Sequence, residues 1–282
     1  MVGPLVAIVT LVILVPIAWT FVLSFQDARY SDVAQNGLFN PITLSNYTDV
    51  LTDSGFWNSL WITVIYTVAT TFGSIALGYF AALSMRDKFR GRGVMRALFV
   101  LPYVAPVVAT AYVWKTMLNP QYGIVNAVGT GFLGWDQGID FLGLEPYALM
   151  TVIVYEIWRY FPFAFIFFAA ALMGLSREVE EAALVDGATP WQKFIYVITP
   201  QMLPVIALLT LLRLVMTFNK FDDIYLLTGG AAGTEIAAVR VYDELTGSSD
   251  IGAASANAVL LAIILAVGLS VYMRFTRKAD GS

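Results

Sequence analysis

Long apolar runs alternate with polar segments along the whole chain. Each run can cross the hydrocarbon core of a bilayer, which is roughly 30 Å thick and takes about 20 helical residues. A segment in lipid must satisfy its own backbone hydrogen bonds, so such runs form helices. The pattern predicts an all-α membrane protein, a single transmembrane domain over residues 1–282, with six spans near residues 4–25, 58–84, 97–118, 147–174, 202–227 and 254–275.

Composition agrees with a membrane location. The chain is 59% hydrophobic and 13% charged, with a mean hydropathy of +0.73, whereas soluble domains carry about 25% charged residues. The first run could be mistaken for a cleaved signal peptide. No Lys or Arg precedes it and no small-residue cleavage site follows Phe25, so we expect it to be retained as a span.

Several kinds of chemistry are absent from the sequence. The chain has no His and no Cys, which removes the usual general base, the commonest metal ligand and the thiolate nucleophile. It also lacks the G-x-x-x-x-G-K-[ST] pattern that cradles nucleotide phosphates. We therefore expect no catalytic residue, no metal site and no cofactor bound by this chain, and any energy source must lie in another subunit.

The distribution of Lys and Arg predicts the orientation in the membrane, because cytoplasmic loops carry an excess of both. They concentrate in the link after the second run and in the tail, whereas the loops on the opposite side are acidic. With six spans, this places both termini and the segment 176–200 in the cytoplasm. The basic residues are Arg86, Lys88, Arg90, Arg92 and Arg96 in the link, and Arg274, Arg277 and Lys278 in the tail.

The segment 176–200 predicts a helix, a glycine turn and a second helix between the fourth and fifth runs. Ser176 can cap the first helix, whose opening turns are rich in Glu. Gly187 supplies a left-handed stop. Thr189 and Gln192 have the spacing of a capping box around a proline at the first helical position. A plain amphipathic hairpin on the bilayer surface would show the same pattern.

Polar residues inside the fourth and fifth runs are candidates for function, because buried charge in a span is unfavourable. Glu156 and Arg159 share one helix face in the fourth run. Arg213, Thr217 and Lys220 follow one stripe of the fifth, ahead of two aspartates. One interpretation is a polar, aromatic-flanked pocket for a hydroxylated solute. The other is structural, with Glu156 and Arg159 paired to each other and Arg213 reaching a surface.

Prolines interrupt the third, fourth and fifth runs. Each proline removes an intrahelical hydrogen bond and permits a bend. In lipid such breaks persist where neighbouring helices or a water-lined cavity satisfy the freed carbonyls. These three spans are therefore expected to line a pathway; the prolines are Pro102, Pro106, Pro162, Pro200 and Pro204.

The amino-acid sequence of the hairpin resembles a motif of a known protein family. Glu181-Ala182-Ala183, three residues, Gly187, nine residues, Val197, one residue and Thr199-Pro200 match the spacing of the "EAA" cytoplasmic loop. That loop occurs in the membrane subunits of binding-protein-dependent ABC importers. Val197 replaces the family's usual Ile, and Thr199 replaces its usual Leu, which is the larger departure.

A second stretch narrows the resemblance to the carbohydrate-type permeases of the maltose, trehalose and glycerol-phosphate transporters. It runs from Phe221-Asp222-Asp223 through Leu226-Leu227-Thr228 to Gly229-Gly230. Shorter pieces agree along nearly the whole chain, among them Leu101-Pro102-Tyr103 in the third run and Phe161-Pro162 in the fourth. The maltose-transporting relative is more neutral at several matched positions, so the resemblance does not name the sugar.

The resemblance implies a type I ABC importer transmembrane-domain fold in a prokaryotic inner or plasma membrane. Its implied partners are a second, homologous permease, two cytoplasmic ATPase subunits that bind ATP and Mg²⁺, and an extracytoplasmic solute-binding protein. The implied coupling residues, on a helix that docks into the ATPase, are Glu181, Ala182, Ala183, Asp186 and Gly187. The implied solute-binding residues are Glu156, Arg159, Tyr160, Phe163, Arg213, Thr217 and Lys220.

Two alternatives to a sugar permease remain open. The cations Arg159, Arg213 and Lys220 outnumber the one nearby carboxylate, Glu156. The net positive charge would suit an anionic or phosphorylated solute such as glycerol phosphate. In a different class, an integral membrane prenyl transferase could use Asp222 and Asp223 to hold a metal-bound diphosphate. The only sequence feature that supports the prenyl transferase is this single acidic pair. A receptor or channel would have no use for the hairpin.

Overall fold

The computed structural model describes residues 8–37 and 39–280, and it contains no β-strand in these ranges. The predicted first span begins at Pro4, so its start lies outside the described residues. In chain order the helices are α1 Thr10–Leu23, α2 Tyr30–Asn36, α3 Ser45–Thr52, α4 Ser54–Ser84, α5 Arg92–Val104, α6 Val107–Met117, α7 Ile124–Phe132, α8 Tyr147–Met173, α9 Arg177–Val185, α10 Pro190–Phe218, α11 Asp222–Leu227, α12 Ala237–Thr246 and α13 Ile251–Asp280.

Four of the described helices are long and apolar enough to cross a membrane, namely α4, α8, α10 and the Ile251–Arg274 part of α13. They coincide with the second, fourth, fifth and sixth predicted spans. A fifth crossing is obtained if α5 and α6 count as one broken span. The described part of α1 is shorter than a full crossing, so the total of six spans stays a prediction.

The third predicted span is bent by 98° between α5 and α6. Ala105 ends α5 in an extended conformation, and Pro106 precedes the first turn of α6. A proline has no N–H to continue the helical hydrogen bonds, which is why the break falls there. The predicted bend is therefore found at Pro106. Pro102, Pro162 and Pro204 lie inside continuous helices.

The fifth predicted span, 202–227, has different limits in the structure. Its helix α10 starts earlier, at Pro190, and ends at Phe218. Residues 222–227 form the separate short helix α11. The apolar stretch Ile224–Leu227 made the span look longer in the sequence, whereas the polar residues between Asn219 and Asp223 interrupt the helix.

The described chain forms two compact units, so the prediction of a single domain stays a prediction. The first comprises the described parts of Met1–Val64 and Gly229–Ser282, in which α13 packs against α1, α3 and α12. Asn46 joins α3 to the segment after α1 by donating to the carbonyls of Ser24 and Gln26, at 3.1 and 2.9 Å.

A cluster of ion pairs in this first unit joins α12 to the residue between α3 and α4. Arg240 of α12 pairs with Asp53 and with Glu244, the latter at 3.1 Å. The backbone N–H of Gly55, followed by the Arg240 charge, holds the pKa of the Asp53 carboxyl below its usual value. Burial raises the pKa of the Glu244 carboxyl. The cluster lies in the segments that the sequence places on the acidic, non-cytoplasmic side.

The second unit, Ile65–Thr228, contains a core of buried apolar side chains. Its buried side chains come from α4, α8 and α10 and include Tyr79, Phe165, Phe168, Met202 and Leu209. Gly78 lets α4 and α8 approach closely. A Cβ there would lie 2.6 Å from the Ala164 Cβ and 2.7 Å from the Phe161 carbonyl oxygen. The backbone of α8 cannot give way as a flexible side chain would.

We expect Gly78→Ala to destabilise the protein by about 1–3 kcal/mol, because the added methyl forces two packed helices apart. The midpoint of thermal denaturation of the purified chain in detergent should fall. Gly268→Ala is the matched control, since a Cβ at that helical glycine meets nothing within 4 Å. An equal fall in both variants would contradict the packing argument.

Candidate solute site and coupling hairpin

The hairpin between α8 and α10 is built by the local signals that the sequence carries. Gly187 has a φ of +82°, and its N–H donates to the Leu184 carbonyl at 3.1 Å. The Thr189 hydroxyl accepts from the Gln192 N–H at 3.3 Å, and the Gln192 side chain accepts from the Thr189 N–H at 2.8 Å. The glycine stop and the capping box are thus confirmed. Ser176 occupies the N-cap position, but its side chain makes no capping hydrogen bond.

The two faces of α9 have different surroundings. Glu180 is nearly buried and pairs with Arg86, from the link after α4, and with Lys193 at 3.5 Å. The next residue, Glu181, is exposed, because one helical step turns the side chain by about 100°. Glu180 therefore holds α9 against its own chain and leaves the face of Glu181 uncovered. Sequence reasoning did not separate these two glutamates.

The predicted coupling residues lie on the uncovered face. Glu181, Ala182, Asp186 and Gly187 are exposed, and Ala183 is half-buried. Large apolar side chains are uncovered beside them: Val185 is 87% exposed and Tyr196 is 75% exposed. Exposed apolar groups around small residues are typical of a surface that another protein covers.

The glycine turn and a second helix starting at Pro190 are found as predicted, but that helix is not separate from the fifth span. It starts at Pro190, widens to a π-helical turn over Lys193–Ile198 and continues into the membrane-length part of α10. Phe194 packs against Tyr79 of α4, with ring centroids 5.9 Å apart. The Tyr79 and Thr199 hydroxyls lie 3.2 Å apart. The second arm of the hairpin is therefore the first part of α10.

A cluster of buried charges joins α8 to α10. Glu156 of α8 accepts a hydrogen bond from Arg213 of α10, with Oε1 and Nη2 3.2 Å apart. Both residues have 0% exposure. An isolated charge in such surroundings is very unfavourable, so each of these two side chains requires the other.

The short helix α11 brings two further carboxylates into the cluster. Lys220 lies 3.0 Å from Asp222 and 3.1 Å from Asp223. Arg159 lies 3.6 Å from Asp223, which is fully buried. The Lys220 ammonium also donates to the Tyr160 hydroxyl at 2.5 Å. Three cations thus face three carboxylates.

Tyr160 lies at the centre of this cluster. The guanidinium carbon of Arg213 is 4.4 Å from its ring centroid, the Lys220 ammonium is 4.7 Å away and the Arg159 guanidinium carbon is 5.7 Å away. These distances lie within the range of cation–π attraction. The ring edge also contacts Tyr103 of α5, with centroids 5.8 Å apart.

Arg159 also satisfies the backbone at the break between α5 and α6. It donates to the Ala105 carbonyl at 3.2 Å and to the Thr110 hydroxyl at 2.8 Å. The Ala105 carbonyl lies at the end of α5, where the helical ladder stops. A charged donor supplies the hydrogen bond that the bent helix lost.

Three parts of the sequence interpretation are corrected here. Glu156 pairs with Arg213, and Arg159 pairs with Asp223, so the two α8 residues do not satisfy each other. Arg213 is buried and does not reach a surface. The excess of three cations over one carboxylate is wrong, because α11 returns both of its aspartates to the cluster.

The candidate solute residues fall into two groups. Glu156, Arg159, Tyr160, Arg213 and Lys220 are brought together in the cluster, and Thr217 is buried. Phe163 lies apart from the charges, in an aromatic group with Tyr103 and Phe167.

Sequence reasoning missed Asp223, Thr110 and Tyr103 as members of this region. The spacing of Lys220 and Asp223, three residues apart, was the available signal for the first. No sequence signal was available for Thr110 and Tyr103, because the bend at Pro106 brings them to α8.

Two solved structures of bacterial ABC transporters contain a chain with this fold. One chain comes from the crystal structure of a bacterial alginate ABC transporter in complex with an alginate pentasaccharide-bound periplasmic protein. It aligns with a TM-score of 0.83 and 20% identity over 99% of this chain and 93% of that chain. A second alginate importer structure aligns with a TM-score of 0.82. The fold is therefore that of a type I ABC transporter permease.

The chain belongs to the family described as binding-protein-dependent transport system inner membrane component, which matches residues 74–280. The inner membrane ABC transporter permease protein YcjO of Escherichia coli K12 is 39% identical over 79% of this chain and 76% of its own. The trehalose/maltose transport system permease protein MalF of Thermococcus litoralis is 30% identical over 98% of this chain and 92% of its own. The sn-glycerol-3-phosphate transport system permease protein UgpA of Agrobacterium fabrum is 30% identical over 90% and 88%. This protein is thus a multi-pass membrane permease of the sugar and glycerol-phosphate class of ABC importers.

The prenyl transferase alternative finds no support in the structure. Asp223 is buried against Arg159 and Lys220, and Asp222 pairs with Lys220. In the ranges 8–37 and 39–280, no three acidic, His or Cys side chains are grouped so that they could hold a metal ion. The two aspartates serve the charge cluster of a permease instead.

We expect Glu156→Gln to destabilise the chain by about 3–5 kcal/mol, because Arg213 would be left buried without a counter-charge. The thermal denaturation midpoint in detergent should fall steeply. Adding Arg213→Gln should recover much of the loss, since the double variant buries no unpaired charge. Glu178→Gln, on the exposed face of α9, is the control. Additive losses in the double variant would contradict the pairing.

Proposed function

We propose that this chain is the transmembrane permease subunit of an ATP-driven sugar importer. It forms the translocation pathway with a second, homologous permease. Two cytoplasmic ATPase subunits bind ATP and Mg²⁺, and an extracytoplasmic solute-binding protein delivers the sugar. Family membership over residues 74–280 supports the importer class, and the trehalose/maltose relative supports the carbohydrate. The basic link and tail support a cytoplasmic position for both termini.

The observation that carries the choice of a sugar is the charge balance of the buried cluster. Its three cations are already paired with three carboxylates, so it offers no excess positive charge to an anion. Tyr103 contacts Tyr160 of the cluster edge-to-face, and Phe163 contacts Tyr103 in a tilted arrangement. Aromatic faces beside hydrogen-bonding groups suit the apolar face and the hydroxyls of a sugar ring.

A phosphorylated or anionic solute remains the second candidate, because the glycerol-3-phosphate permease is also a 30% identical relative. Such a solute would need to separate Lys220 from Asp222 and from Asp223, and the Asp223 side chain is fully buried. That separation costs free energy that a neutral sugar does not require.

The two solutes can be distinguished with the importer reconstituted together with its binding protein. We expect neutral disaccharides to stimulate ATP hydrolysis and glycerol phosphate to leave it at the basal rate. Growth of a strain lacking this permease on disaccharides, sugar alcohols and glycerol phosphates gives an independent readout. Stimulation by glycerol phosphate alone would favour the anionic candidate.

Coupling is proposed to proceed through the hairpin and α10. The exposed face of α9, with Glu181, Ala182 and Ala183, docks into the ATPase. Small alanines allow close backbone approach, while Glu181 and Asp186 are available to cations on the partner. Movement of the docked hairpin passes along α10, in which Pro190 and Arg213 are about 35 Å apart at 1.5 Å per residue. It reaches the charge cluster, where α10 meets α8, and so links nucleotide-driven motion to opening of the pathway.

We expect Gly187→Pro to lower solute-stimulated ATP hydrolysis at least tenfold. Proline cannot adopt a φ of +82°, and it removes the hydrogen bond to Leu184, so the turn that presents α9 is lost. Gly37→Pro is a matched control, because that glycine has a φ of +81° and also donates a helix-ending hydrogen bond, to Val33. Normal stimulation in Gly187→Pro would rule out the coupling role.

A further inference from the structure

A cavity of about 440 Å³ lies where α4, the basic link, α5 and the end of α8 meet. Four cations line it: Arg86, Lys88, Arg92 and Arg96. Its other wall is apolar and includes Leu172 and Met173 at the end of α8. None of the described residues that line it is acidic. The cavity is separate from the charge cluster around Tyr160.

The cations of this cavity are poorly neutralised. Arg86 pairs with Glu180 of α9, which does not line the cavity. For Lys88, Arg92 and Arg96 the described part of the chain offers no ion-pair partner. The Nε atoms of Arg92 and Arg96 are buried and lack any hydrogen-bond partner there. The one hydrogen bond from the Arg96 side chain is long, 3.4 Å to the Met85 carbonyl.

Buried guanidinium donors without acceptors are unfavourable, so this arrangement calls for an anionic occupant. Guanidinium groups bind phosphate and carboxylate oxygens alike through two parallel hydrogen bonds, so an anion with paired oxygens fits the cavity. The apolar wall requires that the occupant also have an apolar part. Met173 is 74% exposed at the end of a membrane-length helix, where acyl chains begin beneath the headgroups.

We propose that this cavity binds the phosphate group of an anion, with the headgroup of an anionic phospholipid as its source. Basic pockets between helix ends at the cytoplasmic side attract such headgroups. An amphipathic occupant satisfies both walls, whereas a free phosphate ion satisfies only the cations. Arg86 belongs both to this cavity and to the ion pair with Glu180, so the site adjoins the hairpin. The proposal does not depend on which solute is carried.

The test uses the full chain, purified in a neutral detergent and titrated with short-chain lipids, with retained lipid counted by native mass spectrometry. Wild type should retain phosphatidylglycerol in preference to phosphatidylcholine. Arg92→Gln with Arg96→Gln should lower the apparent affinity for phosphatidylglycerol by roughly 30-fold, from about 1 kcal/mol for each cation near the surface. Arg90→Gln with Arg274→Gln is the control, because both side chains are exposed and neither lines the cavity.

Lys88→Gln guards against misfolding of the double variant. Its side chain lines the cavity but is exposed, so the change leaves the packing intact and should lower the affinity about fivefold. Circular dichroism and gel-filtration elution identify any variant that fails to fold.

Inorganic phosphate is titrated in a separate arm. If it binds with the same dependence on Arg92 and Arg96 while the two lipids bind equally, the phosphate site stands and its source is a free anion. Equal loss of phosphatidylglycerol binding in the cavity and control variants would overturn the proposal. It would also be overturned if the wild-type protein bound neither phosphatidylglycerol nor inorganic phosphate.

Discussion

The pairing of charges inside an apolar helix bundle is the constraint on which this structure depends. Glu156, Arg213 and Asp223 have no exposed surface, and none of them could stay charged there alone. Their partners lie on different elements, so satisfying the charges dictates which helices meet. Glu156 requires α10 beside α8, and Arg159 requires both α11 and the break at Pro106. The end of α10 at Phe218 follows from the same need, because only a separate α11 can return its aspartates to the cations.

The hairpin shows how one helix can be both anchored and available. Glu180 faces the chain and is held by Arg86 and Lys193, while Glu181 faces outward. An anchored helix transmits a push, whereas a loosely attached one would absorb it. Because α10 begins in the hairpin and runs on to the charge cluster, one helix carries both the second arm of the hairpin and Arg213. This continuity is the physical basis of the proposed coupling.

Two sets of cations in the second unit have opposite characters. Those around Tyr160 are neutralised by carboxylates within the chain, so they organise helices and leave little attraction for an anion. Those of the basic link line a cavity, and for Lys88, Arg92 and Arg96 the described part of the chain offers no ion-pair partner. In sequence both sets are Arg and Lys in or beside apolar runs, and their partners are not apparent. Only the location of the acidic residues distinguishes a structural network from a binding site.

Local signals were sufficient for much of the architecture. Hydrophobic run length determines membrane helices, and the glycine stop and the capping box depend on residues close together in the chain, so the sequence alone predicted them. It allowed bends at five prolines and did not single out Pro106, where the break lies. Which polar residues meet was decided by the tertiary structure. The pairs Glu156–Arg213 and Arg159–Asp223 join residues more than 50 positions apart, and helical periodicity says nothing about such contacts. The sequence therefore determined the elements and the class of protein, while packing decided the partners of each buried charge, because burial depends on what surrounds a side chain in space.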